Sequence, residues 1–168
     1  TGKGPRVQLL GSGTILNEVI AAADLLKKDW GIEADIWSCP SFTLLARDGV
    51  ATARWNLLHP TAEPRKPYVQ QCLENTEGPV IASTDYVRAF ADQIRPYVSR
   101  PYKVLGTDGF GRSDTREKLR HFFEVDRYWV TTASLAALAE EEKLDPAKVA
   151  EAIKKYGIDV DKPNPLTV

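Results

Sequence analysis

Two glycine-bearing runs, two histidines and an acidic stretch have the residue types that could do chemistry in this chain. Gly11-Ser-Gly13 follows an apolar run and precedes a helical one, the place where backbone N–H groups can hold a phosphate. A dinucleotide fingerprint needs a third glycine where Leu16 stands, and no Gly-Lys-Ser or Gly-Lys-Thr follows to make a phosphate loop. The run reads first as a tight structural turn, with a stand-alone phosphate- or dinucleotide-binding α/β domain as the alternative.

The run Thr107-Asp-Gly-Phe-Gly-Arg-Ser-Asp114, with Gly106 before it, is the most distinctive. Its glycines mark backbone conformations that other residues avoid. Phe110 is either tucked inward or presented at an interface, and Arg112 and Asp114 can pair with each other or with a neighbouring chain. No titratable base sits beside a nucleophile, so Asp108, Phe110 and Arg112 read as an interface loop rather than a catalytic one. His59 and His121 are the only histidines, and neither has a ligand-type partner at helical spacing. There is no G-x-S-x-G elbow. Glu140, Glu141 and Glu142 are most simply the solvated end of a helix. Carboxylates there oppose the helix dipole and hint at a basic partner.

The elements that must position these residues alternate between strand and helix. Strands are expected over residues 7–10, 32–38, 79–84 and 102–105. Helices are expected over 14–29, 67–75, 85–94, 128–142 and 146–156. Ile15, Val19, Ala22, Ala23 and Leu26 repeat at three- and four-residue spacing, so one face of the first helix is buried. Gly31 is placed to end it. Ser113 or Asp114 is expected to cap the helix after the glycine run, with Asp114 and Glu117 as a capping box. Asp145 is expected to cap the last helix. Residues 41–48 suggest a short helix, and the stretch beyond it reads as a long loop holding Trp55, His59 and Pro60. The alternation predicts an α/β fold with a mostly parallel sheet.

Composition sets the remaining bounds. Apolar residues make up 43% and charged residues 27%, as in ordinary globular domains. A net charge of −1 gives no argument for nucleic acid or an anionic membrane. Cys39 and Cys72 lack CxxC spacing and suit reduced thiols, consistent with a cytoplasmic setting. Residues 1–6 read as a linker or the edge of a longer chain, and residues 7–168 as a single domain.

Several runs also occur together in one order: Val7-Gln-Leu-Leu-Gly-Ser-Gly-Thr14, Ser41-Phe42, Leu45-Ala-Arg-Asp-Gly49, Arg54-Trp-Asn56, His59-Pro60, Ala82-Ser-Thr-Asp-Tyr86, the run from Leu105 to Asp114, and Phe123-Glu-Val-Asp126. On these residues the chain resembles the C-terminal domain of the homodimeric bacterial pyruvate dehydrogenases. The resemblance implies a transketolase-like C-terminal domain, with a five-stranded, mostly parallel sheet and helices on both faces. It implies a longer oxidoreductase subunit that decarboxylates pyruvate and acetylates the lipoyl group of dihydrolipoamide acetyltransferase. Thiamine diphosphate and Mg²⁺ would lie between the preceding domains at the dimer interface. The family's Gly-Asp-Gly…Asn cofactor motif is absent. Gly106-Thr-Asp-Gly109 carries an inserted threonine, and no asparagine occurs between Asn75 and Asn164. No catalytic, cofactor-binding or metal residue is therefore expected here. The implied partners are the preceding domains, the second subunit, and the acetyltransferase's peripheral subunit-binding domain. The acidic residues Glu140, Glu141, Glu142, Asp145, Asp159 and Asp161 are the candidates for docking that last partner.

Overall fold

The computed structural model describes residues 4–168. Strand β1 (Arg6–Gly11) leads through a 3-10 turn (Gly13–Ile15) into helix α1 (Leu16–Trp30), and β2 (Glu33–Ser38) follows. Helices α2 (Phe42–Leu58) and α3 (Tyr68–Leu73) precede β3 (Val80–Ser83). Then come α4 (Arg88–Asp92), a second 3-10 turn (Arg95–Tyr97) and β4 (Tyr102–Leu105). Three helices close the chain: α5 (Arg116–Phe122), α6 (Arg127–Glu140) and α7 (Pro146–Lys155). The linker expected over residues 1–6 falls partly outside the described residues, and Arg6 already belongs to β1.

The sheet is parallel throughout, with strand order β2-β1-β3-β4. Among the described residues it has four strands, which corrects the expectation of five. After β4 the chain is helical, and its last segment carries Pro163 and Pro165, which cannot donate to a ladder. Alternation along β1 and β3 divides the core between the two faces of the sheet. Val7, Leu9 and Ile81 pack with residues of α1, α6 and α7. Leu10, Val80 and Ala82 pack with residues of α2, α3 and α4. Gln8 is fully buried in the central strand because its amide is satisfied: Trp37 Nε1 donates to it at 2.8 Å, and it donates to Asp35 at 2.7 Å and to the Glu77 carbonyl at 3.0 Å.

Helix ends follow local chemistry. Gly31 ends α1 in the left-handed conformation at φ 66°. Asp126 caps α6 by accepting from Tyr128 N and Trp129 N, and Asp145 caps α7 by accepting from Ala147 N. The α5 cap is Thr115, which accepts from Lys118 N, so neither Ser113 nor Asp114 caps it. The Asp114 carboxylate instead accepts from Thr115 N at 2.7 Å. The helix expected over 85–94 shrinks to α4, starting at Arg88. The long loop expected after residue 48 is instead helix to Leu58. Ser41 caps this helix by accepting from Leu44 N at 3.2 Å, and a single glycine, Gly49, does not break it. No helix among the described residues is long and apolar enough to cross a membrane.

Candidate functional site

Strand order places a polar concavity. From β1 the chain crosses to β2 on one side, and from β3 it crosses to β4 on the other. The crevice beyond the carboxyl ends of β1 and β3 is thus a topological switch point, where open α/β sheets receive ligands. A cavity of about 740 Å³ opens there, with Thr14, Asp85, Thr107, Arg112, Arg116 and Arg120 on its walls. Beneath it Ser12 donates to the Thr84 hydroxyl at 2.7 Å. Gly13, at φ 53°, takes the left-handed conformation that turns the chain, with the Asp85 carboxylate beside it. The Gly11-Ser-Gly13 run is therefore the tight turn expected of it.

The glycine-rich loop after β4 forms one wall. The Asp108 carboxylate accepts from the Arg88 backbone N at 3.0 Å and from its guanidinium, which ties the loop to α4. Gly109 has φ 99°, and a Cβ there would collide with the Pro165 carbonyl, so the C-terminal segment lies directly on the loop. Lys162 holds that segment through an ion pair with Glu124 at 2.9 Å. Phe110 is 79% exposed, so it is presented rather than tucked. Arg112 and Asp114 do not pair with each other. Arg112 lies 4.4 Å over the Phe122 ring, and Asp114 faces Lys118 at 3.9 Å.

Glu18 is a charged hub that the sequence reading passed over. Its side chain is 7% exposed and receives Arg120 Nη1 at 2.9 Å, Arg127 Nε at 2.9 Å and Arg127 N at 3.1 Å. Burial by itself raises the carboxyl's pKa. Hydrogen bonds from the Arg127 side chain and backbone, with the Arg127 and Arg120 charges, outweigh that and hold it below the ordinary glutamate value. The available signal was a glutamate on the otherwise apolar face of α1. His121 follows Arg120 on α5. Its ring meets the Asp126 carboxylate at 2.8 Å, while the other oxygen of Asp126 caps α6. The His121–Asp126 pair therefore sits at the start of α6, where Asp126 caps the helix.

The acidic candidates are split into two groups. Glu140 pairs with Lys103 at 2.7 Å, Glu141 pairs with Lys143 at 3.0 Å, and Asp145 caps α7. Glu142, at φ 57°, lies beyond the end of α6 and has no ion-pair partner among the described residues. Asp159 accepts from Asp161 N at 2.9 Å. Ten residues of α7, about 15 Å of helix, separate Asp145 from this second group. The two groups do not form one patch.

Comparison with known proteins agrees with the fold and extends the resemblance. The sequence profile described as Transketolase-like TK C-terminal domain matches residues 1–126. The "Pyruvate dehydrogenase E1 component" of Cupriavidus necator is 72% identical over 164 residues, covering 98% of this chain and 18% of that protein. The protein of the same description from Pseudomonas aeruginosa is 63% identical over 161 residues, and that from Escherichia coli is 53% identical over 165. They are covered over 95% and 98% of this chain, and each over 18% of its own length. The chain therefore spans about a fifth of the length of the curated relatives it matches. A solved structure titled "Split gene transketolase, inactive beta4 tetramer" superposes with a TM-score of 0.53 at 18% identity, over 82% of this chain and 40% of the other. That likeness carries the fold alone. By the matched profile and by these identities, the chain belongs to the transketolase-like C-terminal domain family and is similar, over nearly its whole length, to pyruvate dehydrogenase E1 components.

Proposed function

We propose that these 168 residues are the last domain of a cytoplasmic, homodimeric pyruvate dehydrogenase that decarboxylates pyruvate and acetylates the lipoyl group of dihydrolipoamide acetyltransferase. The observation that carries this reading is the 72% identity over 98% of the chain to a protein so described. Within that subunit the domain is non-catalytic. Its work is packing against the other domains and across the dimer, together with docking of the acetyltransferase's subunit-binding domain.

The site chemistry supports the non-catalytic half. Thiamine diphosphate and Mg²⁺ do not fit the residues present. The run nearest to the diphosphate motif contains Asp108, whose carboxylate is already engaged by the Arg88 backbone and guanidinium. The cofactor supplies the electron sink for decarboxylation in such enzymes, and no step of that chemistry passes through this chain.

For docking, the carboxylates at the α6–α7 corner are the better-placed group. Glu142 is unpaired among the described residues, and the Lys103–Glu140 bridge is exposed enough to exchange partners at little cost. Docking of a basic subunit-binding domain there should weaken as salt rises. The test is calorimetric titration of the full-length enzyme with that domain at two salt concentrations. A double variant, Glu140→Lys with Glu142→Lys, should lower the affinity and flatten its salt dependence. Unchanged affinity would remove this corner from the docking surface. Failure of the full-length protein to release CO₂ from pyruvate would remove the reading as a whole.

A further inference from the structure

Helix α2 leaves the body of the fold half-way along its length. Its buried residues are Phe42, Ala46 and Gly49, and from Val50 to its end no residue is buried. At Gly49 the missing side chain lets the Tyr97 ring rest on the helix, and Gly49 is the last buried residue of α2. Beyond it, Val50 is 61% exposed, Leu57 79% and Leu58 55%, and Leu44 on the same outward arc is 63% exposed. Arg47 and Arg54 also lie on that arc at 100° per residue, and neither has a carboxylate partner among the described residues. A short helix without tertiary support is marginal in water, and aliphatic side chains grouped on an exposed face mark a covered surface.

The projecting end is nevertheless built to hold its shape. Asn56 clamps the following loop, donating to the Arg65 carbonyl at 2.9 Å and accepting from Arg65 N at 2.8 Å. His59 stacks on Trp55 with ring centroids 4.2 Å apart, and the Arg65 guanidinium lies 3.7 Å from the Trp55 ring centre. Two groups this close to one ring must take opposite faces. The result is a preformed knob of helix end, loop and sandwiched indole, with aliphatic residues and two free guanidinium groups outward.

We infer that this arm, from Val50 to Leu58, inserts into an apolar, carboxylate-rimmed surface of the polypeptide that precedes these residues in the longer protein. The inference rests on the proposed function. The relatives are more than five times as long as the segment matched here, since 18% of their length is covered. That leaves ample chain to form the receptor. Charge argues against a second copy of this domain as occupant. A two-fold contact of α2 with itself, centred between Arg47 and Arg54, would set Arg47 of each copy against Arg54 of the other, while the one carboxylate on the helix, Asp48, already accepts from Tyr68 N at 2.6 Å.

A photo-crosslinking residue, p-benzoylphenylalanine, placed at position 57 of the full-length protein tests this. Position 50 serves as a second site if the first variant does not assemble. The expected result is a crosslinked peptide from the polypeptide preceding this domain, lost when Arg47→Glu and Arg54→Glu are added and kept with Arg47→Lys and Arg54→Lys. A crosslink to residues 1–168 of another copy, or none with the core strands still protected from hydrogen exchange, would overturn the inference. The crosslink is read against the sequence of the full-length protein. It therefore reports on the arm even if that protein proves not to act on pyruvate.

Discussion

Arg127 Nε donates to Glu18 Oε2 at 2.9 Å, joining the first turn of α1 to the first turn of α6 across 109 residues of sequence. Arg120 reaches the other carboxylate oxygen, also at 2.9 Å, so one glutamate ties three helices together at the mouth of the sheet. Truncating one partner of a buried ion pair leaves the other charges unanswered, at a cost of roughly 3–5 kcal/mol. Arg127 is 43% exposed and recovers part of that from water, which places Glu18→Ala near the lower end. Urea denaturation should show a lower midpoint with an unchanged slope.

The same carboxylate sets a dependence on acid. Its folded pKa lies below its ordinary value, so its contribution is present above the unfolded value, about 4.3, and is lost as pH falls through the folded one. The stability difference between the wild-type chain and Glu18→Gln should be largest near neutral pH and shrink below about pH 4. Denaturation curves at several pH values check this. A difference that grows on acidification would contradict the assignment.

Gly109 and Gly157 both have positive φ, 99° and 65°, but only Gly109 has an atom where a side chain would go. Gly157→Ala should cost only the left-handed penalty, about 1 kcal/mol. Gly109→Ala adds a collision with the Pro165 carbonyl and should cost about 1–3 kcal/mol, with the C-terminal segment lifted from the glycine loop. Limited proteolysis should then cut that segment faster in Gly109→Ala and leave it protected in Gly157→Ala.

Gly49 gives a prediction in which the sign changes. Alanine is favoured over glycine inside a helix by about 1 kcal/mol. A Cβ here would run into the Tyr97 ring, and overpacking costs about 1–3 kcal/mol, so Gly49→Ala should destabilise. In a Tyr97→Leu background the ring is gone, and the same substitution should become stabilising. Thermal denaturation of the four proteins of this double-mutant cycle measures the coupling.

Much of the layout was legible in the sequence because local signals carried it. The apolar spacing of α1, the glycine stop at Gly31 and the aspartate before α7 act within a few residues, so α1 and α7 came out close to where they are; α6 did too, although its Asp126 cap was not read from the sequence. The four strands were legible too, as apolar runs at 7–10, 32–38, 79–84 and 102–105, and only the fifth was not. That fifth strand was inferred from resemblance, and Pro163 and Pro165 argue locally against it. The length of α2 was not legible, because the residues after 48, with Trp55, His59 and Pro60 among them, read as a long loop. The Tyr97 ring on Gly49 and the Asn56–Arg65 clamp are contacts that no window of sequence displays. The candidate site divided in the same way. Its residue types were visible, but their partners were not, since Glu140 meets Lys103 and Glu18 meets Arg120 across 37 and 102 residues. Sequence determines which side chains carry charge and which turns they flank. Strand order and helix packing decide which charges neutralise each other, and therefore which remain free to meet a partner.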